Sequence, residues 1–126
     1  MKKYIVILLL CIIYVPCFAE DLPVTEGSTS WLTLSFFDED GNPATPPSAR
    51  YRIDDVSSWT EIKATTTFIP TEVTYTIKST PSENRIIDDS RMNEQRLVTV
   101  EWTDGVNERT DYYEYYVINL SKIPLP

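Results

Sequence analysis

The chain has no histidine and only two cysteines among its 126 residues. Without histidine, no Ser-His or Cys-His pair is available for nucleophilic catalysis. Both cysteines, Cys11 and Cys17, lie near the N-terminus, so the rest of the chain has no disulfide, no thiolate nucleophile and no cysteine-based metal site. The composition therefore predicts a protein that is not an enzyme and that uses no cofactor and no metal.

Basic residues are also scarce. The chain has 11 lysines and arginines against 19 aspartates and glutamates, which gives a net charge of −8. Nucleic-acid binding depends on clustered lysines and arginines that neutralise phosphates, and the sequence has no such cluster. We therefore expect no nucleic-acid partner and no attraction to anionic membranes.

The longest hydrophobic run lies at the N-terminus. Lys2 and Lys3 precede a 15-residue apolar run, Tyr4–Phe18, and Ala19 stands just before a plausible signal-peptidase site. The run is shorter than the roughly 20 residues that span a bilayer. We predict that residues 1–19 are a signal peptide and that the protein is exported to the periplasm or secreted. The alternative is an uncleaved N-terminal anchor.

Cleavage after Ala19 would leave residues 20–126, a length typical of a single domain. This part of the chain has 9 basic and 19 acidic residues, a net charge of −10, and no cysteine. Without disulfides, we expect the hydrophobic core alone to hold the domain together. We expect no membrane contact once the signal peptide is removed.

Apolar and polar residues alternate with period two along most of this domain, as in half-buried β-strands. The alternating segments are residues 31–37, 49–54, 71–79, 96–102 and 111–120, with weaker strands at 58–62 and 65–69. Turn signals separate them, among them Asp-Gly and three prolines within residues 38–48 and Gly105 in the last turn. A polar segment, residues 82–96, is predicted to cross between sheets and to hold one helical turn with Ser82 as N-cap.

This pattern predicts an all-β fold, an immunoglobulin-like or fibronectin-III-like two-sheet sandwich of about seven strands. The alternation also predicts which side chains form the core. They are Leu32, Leu34, Phe36, Tyr51, Ile53, Trp59, Val73, Tyr75, Ile77, Val98, Val100 and Trp102.

Four tyrosines crowd the segment "DYYEYYVINL", residues 111–120. In a strand, Tyr112, Glu114 and Tyr116 share one face, and the glutamate indicates that this face is exposed. Trp31 lies off the apolar face of its own strand. We predict these four residues as partner contacts, because exposed aromatic side chains stack on sugars and anchor protein partners. The simpler alternative is a sandwich strand with tyrosine hydroxyls at the water boundary.

Acidic clusters are the other candidates for chemistry. Asp38, Asp40 and Asn42 have the spacing of the first half of a calcium loop, but Ala49 stands where that loop requires a glutamate. Asp54-Asp55 and Asp88-Asp89 are adjacent in sequence, so a strand would send the two side chains of each pair to opposite faces. We therefore predict no catalytic residue among them.

The strands also carry a resemblance. The segments concerned are "LTLSFFDEDGNPATPPSARYRIDD", "WTEI", "VTYTI", "NEQRLVTVEW" and "YYEYYVINLSKIP". Taken in this order, they resemble a family of small immunoglobulin-like β-sandwich proteins encoded by bacteriophages and prophages. The resemblance covers about residues 30–124. It implies a non-enzymatic structural or interaction domain, and the family pattern contains no catalytic residue to carry over.

Two roles follow from the resemblance and the N-terminus together. The first is a phage- or prophage-derived interaction domain that binds a protein or a cell-surface glycan. The alternative is a bacterial envelope module, adhesin- or pilus-like, completed by self-association. Virion proteins are assembled in the cytoplasm and need no signal peptide, so the predicted export favours the envelope as the location, with the virion as the alternative.

Overall fold

A computed structural model describes residues 23–124 of the chain. The predicted signal peptide, residues 1–19, and its cleavage site lie outside the described residues. So do residues 20–22 and 125–126.

Seven strands within residues 23–124 form two sheets. They are β1 (Val24–Thr25), β2 (Ser30–Ser35), β3 (Ala49–Asp55), β4 (Glu61–Phe68), β5 (Thr74–Ser79), β6 (Asn93–Thr103) and β7 (Glu108–Ile118), and a 3₁₀ turn follows at Leu120–Lys122. One sheet has five strands in the order β1-β7-β6-β3-β4, and the other pairs β2 with β5. The prediction of an all-β chain with about seven strands in two sheets is confirmed.

All the strand pairs are antiparallel except the pair of β1 and β7, which is parallel. The two sheets enclose the core between their inner faces. Strand β6 has the clearest alternation, because its inward residues from Glu94 to Trp102 are buried and the residues between them are partly exposed. The period of two read from the sequence therefore sets which side chains face the core.

Aromatic side chains join the two sheets. The rings of Phe68 on β4 and Tyr75 on β5 stack with centroids 4.0 Å apart. Phe36, just after β2, meets Trp102 of β6 edge to face at 5.5 Å. Such pairs are worth about 0.5–1.5 kcal/mol beyond the area they bury, so the contacts fix the spacing of the sandwich.

The predicted core is largely correct. Its buried members include Leu34, Phe36, Ile53, Val98 and Val100, each no more than 1% exposed. Leu32 and Tyr75 pack against this cluster at its margin. The prediction missed three members of the hydrophobic core, which are Ala49, Tyr115 and Val117.

The core assignments of Trp59 and Val73 are wrong. Trp59 is 68% exposed, because residues 56–60 connect β3 to β4 through a turn at 56–58 and Trp59 adopts a left-handed φ of 54°. Strand β4 begins only at Glu61 and takes in the residues predicted as a separate strand at 65–69 as far as Phe68. Val73 precedes β5 and is 39% exposed.

The segment between β5 and β6 crosses from one sheet to the other, as predicted, but it has no helix between Ser82 and Ile87. A turn forms at residues 81–84 instead, and the Glu83 carboxylate accepts a hydrogen bond from the Thr80 N–H. The second oxygen of Glu83 lies 2.8 Å from the Lys63 ammonium on β4. This hydrogen bond raises the pKa of Lys63 and ties the crossover to the five-stranded sheet.

The core assignment predicts the effect of Val100→Asp. Val100 has no exposed surface, and an unpaired buried carboxylate costs several kcal/mol, which is comparable with the total stability of a small domain. We expect this variant to be unfolded at 25 °C by circular dichroism. Thr99→Asp, one residue away on the outer face, is the control and should melt cooperatively near wild type. A Val100→Asp variant that melts like wild type would contradict the assignment.

Candidate functional site

A buried ionic cluster lies at one end of the sandwich. Asp55, Arg96 and Glu94 are each no more than 1% exposed. One guanidinium nitrogen of Arg96, Nη1, donates to Asp55 at 2.6 Å. The other, Nη2, donates to Glu94 at 2.8 Å and to the carbonyl of Arg85 at 2.7 Å. One arginine therefore joins two carboxylates and the crossover segment.

The free oxygens of both carboxylates hold loop backbone in place. Glu94 accepts hydrogen bonds from the N–H groups of Ile87 and Asp88. Asp55 accepts from the N–H and the hydroxyl of Ser58 in the β3–β4 turn. The buried cluster therefore anchors these two loops.

A second buried polar group, Asn84, closes the same end of the sandwich. Its side-chain amide donates to the carbonyl of Ser28 and the hydroxyl of Ser30, and its side-chain oxygen accepts from the Tyr115 hydroxyl at 3.0 Å. These hydrogen bonds link the crossover to β2 and β7. Burial raises the pKa of the Tyr115 phenol.

The candidate contact residues Tyr112, Glu114 and Tyr116 lie together on β7, on the outer face of the five-stranded sheet. Tyr112 is 66% exposed and Tyr116 is 38% exposed. Between them, the Glu114 carboxylate accepts a hydrogen bond from Gln95 of β6 at 2.6 Å. Leu97, the cross-strand partner of Glu114, adds a partly buried apolar side chain. We call Tyr112, Glu114, Tyr116 and Leu97 the tyrosine stripe.

Charged pairs cover the rest of this outer face. Arg50 on β3 is paired with Glu101 on β6, and Arg52 is paired with Asp54. The hydrogen bond with Asp54 raises the pKa of Arg52. All four groups are fixed by a partner, so the face presents ordered hydrogen-bonding groups beside the tyrosine stripe.

Two shallow hollows open on the same outer face. One, of about 200 Å³, is lined by residues that include Arg50, Glu101 and Thr110. The other, of about 230 Å³, is lined by residues that include Arg52 and Thr99, and Thr99 is the cross-strand partner of Tyr112. The hollows therefore lie next to the tyrosine stripe.

Trp31 is separate from the other three candidate residues. It is 67% exposed, but it lies on β2, on the outer face of the two-stranded sheet. The sandwich therefore places Trp31 on the opposite side of the molecule from the tyrosine stripe, and one compact partner cannot contact both.

The acidic candidates have structural partners. Asp38 accepts hydrogen bonds from the N–H groups of Asp40 and Asn42, which closes the turn after β2. Asp54 and Asp55 face opposite sides of the sheet, as predicted, and each pairs with a different arginine. Within residues 23–124, no group of three or more Asp, Glu, His or Cys residues is placed to hold a metal ion.

Sequence reasoning missed the ionic cluster. Glu94 and Arg96 lie at alternating positions that continue the buried face of β6, so the period of two was the available signal. Residues 82–96 are predicted from sequence as a polar crossover, whereas Glu94 and Arg96 belong to β6. Charged residues are rarely fully buried.

No helix within residues 23–124 is long and apolar enough to cross a membrane. Comparison with models of known protein families, with curated proteins and with solved structures finds no match to this chain.

Removing the arginine of the ionic cluster should strongly destabilise the fold. In Arg96→Met, Asp55 and Glu94 stay buried without their counter-charge, which typically costs about 3–5 kcal/mol. The exposed pair of Arg50 and Glu101 is the matched control, because Arg50→Met should cost less than about 1 kcal/mol. Urea denaturation measures both losses. Equal losses in the two variants would contradict the anchoring role.

The buried phenol of Tyr115 predicts a loss of stability at alkaline pH. Its pKa in the folded state is raised by burial, so its contribution is fully present below the unfolded pKa of about 10 and is lost as the pH rises through the folded pKa. Lys63 acts in the same direction. Tyr115→Phe should therefore reduce the decline in unfolding free energy between pH 9 and 11. An unchanged decline in this variant would contradict the prediction.

Proposed function

We propose that this chain is a non-enzymatic, immunoglobulin-like interaction domain of phage or prophage origin, exported to the bacterial envelope or the medium, with a protein or a surface glycan as its partner. The binding surface is the outer face of the five-stranded sheet. The observation that carries this proposal is that the tyrosine stripe and both hollows share this one face.

The strand order supports the immunoglobulin-like assignment. In immunoglobulin variable domains, strands B and E lie in one sheet, and strands C, C′, F and G lie in the other. Here β2 and β5 form one sheet, and β3, β4, β6 and β7 lie in the other. The chain therefore has the same division of strands, with β1 added beside β7.

The side chains on this face suit a partner contact. Tyrosine offers a large apolar ring and a hydroxyl, and few rotatable bonds are fixed when it binds. Tyr112 and Tyr116 lie on a strand rather than on a loop, so their positions are fixed before a partner arrives. Such pre-organisation lowers the entropic cost of binding.

The charged groups around the tyrosine stripe favour specificity over affinity. Arg50 and Glu101 form an exposed pair, and Arg52 pairs with the largely buried Asp54. Ion pairs with exposed members contribute little binding energy by themselves. They can exchange hydrogen bonds with a polar partner at the rim, as in ordinary protein interfaces. A glycan would use the same groups through its hydroxyls.

The test removes both rings of the tyrosine stripe. Fluorescently labelled protein is titrated onto intact bacteria and onto purified tailed-phage particles. We expect the Tyr112→Ala/Tyr116→Ala variant to bind at least about tenfold more weakly than wild type, because central aromatic contacts often contribute 2 kcal/mol or more. Trp31→Ala, an equally exposed aromatic on the opposite face, should bind like wild type.

Two results would count against this proposal. One is wild-type binding by the double tyrosine variant. The other is the absence of saturable binding by wild-type protein to any of these surfaces. A cooperative thermal melt of each variant shows that a loss of binding does not come from unfolding.

A further inference from the structure

The two-stranded sheet has an open edge along β2. Phe36 donates its N–H to the carbonyl of Val73, and hydrogen-bonded pairs alternate along an antiparallel ladder. It follows that the backbone N–H and C=O groups of Leu34 and Leu32 form hydrogen bonds with β5. The backbone groups of Trp31, Thr33 and Ser35 point away from β5. No strand within residues 23–124 pairs with this side of β2.

This edge carries no charge. Open sheet edges are normally protected by charged side chains, which block pairing with other chains. The other open edges follow this rule, with Lys63 on β4, Lys78 on β5 and Glu108, Asp111 and Glu114 on β7. Residues 30–37 contain no charged side chain, so the edge of β2 lacks that protection.

Exposed aromatic rings flank the open edge. Trp31 is 67% exposed and Phe37 is 42% exposed, and both point to the outer side of the sheet. Thr33, between them, pairs across the strands with Thr76. A strand added beside β2 would therefore find backbone partners at Trp31 and Thr33 and an apolar side chain near each end.

The inner face of β7 extends below the open edge at Asp111 and Tyr113, and we call this part of β7 the ledge. The inward residues Val98 and Val100 of β6 are no more than 1% exposed. Their cross-strand partners on β7, Tyr113 and Asp111, are half-buried and exposed. The five-stranded sheet thus extends past β2, and the Tyr113 phenol reaches up to the backbone of Ser35.

The ledge limits what can occupy the edge. A second folded copy that aligned its own β2 there would bring its own ledge into the same space. A single extended segment has no ledge and fits between β2 and β7. Within residues 23–124, the segments with alternating apolar and polar residues already belong to the two sheets. A folded copy therefore has no such segment free to pair with β2 of another copy.

The charge of the ledge indicates the chemistry of the segment. Desolvation raises the pKa of Asp111, although the nearby Arg109 acts in the opposite direction. A cationic side chain over Asp111 would stabilise the carboxylate, and the chain as a whole is acidic, with a net charge of −8. A basic partner is therefore favoured over an acidic one.

We propose that the open edge of β2 is a strand-acceptor site for an extended segment of another protein, with apolar residues facing the sandwich and a lysine or arginine placed over Asp111. Binding would occur by strand addition, in which main-chain hydrogen bonds give affinity and alternate side chains give specificity. The tyrosine stripe lies on the outer face of β7, whereas this site uses the edge of β2 and the inner face of β7, so the two sites share no side chain.

The experiment uses two synthetic nine-residue peptides on the full chain as it is isolated from cells. Both alternate threonine with valine, and the central inward residue is lysine in one peptide and glutamate in the other. Binding is followed by the NMR shifts of the Thr33 and Ser35 amides. We expect the lysine peptide to bind about tenfold more tightly at low salt, and the difference to shrink as salt screens the charges.

Three variants locate the site. Thr33→Pro removes a donor from the open edge without breaking the β2–β5 ladder, and it should weaken both peptides at least about tenfold. Thr76→Pro makes the same change on the open edge of β5 and should have no effect. Asp111→Asn should remove the preference for the lysine peptide while binding persists.

Several results would overturn the proposal. These are the absence of binding by either peptide at millimolar concentration, equal binding of both peptides to wild type, and wild-type affinity in Thr33→Pro. Concentration-dependent dimerisation that shifts the same amides without peptide would assign the edge to a second copy instead. Loss of cell binding in the tyrosine variant leaves this test unaffected, so the two proposals fail separately.

Discussion

The order of this sandwich depends on the hydrogen bonds of the Arg96 guanidinium. This group lies where the apolar core ends, and it bonds to Asp55 on β3, to Glu94 on its own strand and to the carbonyl of Arg85 in the crossover. A buried ion pair is weak evidence for net stability, since an apolar replacement of the whole cluster can be equally stable. Its specific effect is to fix where the crossover lies.

That fixed crossover makes the sandwich a rigid scaffold for both proposed surfaces. Asn84, the last residue of the turn at 81–84, reaches Ser28, Ser30 and Tyr115. The start of β2 and the end of β7 are thereby held together at the anchored end. The two strands carry the open edge and the tyrosine stripe respectively, so one set of buried polar contacts positions each of them.

The strands could be predicted from sequence because one local rule, alternation, determines them. Val98, Val100 and Trp102 are inward for the same reason that Thr99 and Glu101 are outward. The rule fails where tertiary context decides. Trp59 is apolar, but the turn held by the Asp55–Ser58 contact leaves it exposed. Arg96 is charged but buried, because two carboxylates distant from each other in sequence converge on it. The separation of Trp31 from the tyrosine stripe likewise depends on which sheet each strand joins, and alternation does not specify this.

Amide hydrogen exchange at Ile87 and Asp88 tests the central claim most directly. Both residues lie outside the strands, in the crossover, and both donate their N–H groups to Glu94. Loop amides ordinarily exchange through low-energy local openings, whereas core amides exchange only on global unfolding. We expect these two amides to exchange as slowly as those of Val98 and Val100. Exchange at ordinary loop rates, with the β6 amides still protected, would contradict the claim that the ionic cluster fixes the crossover.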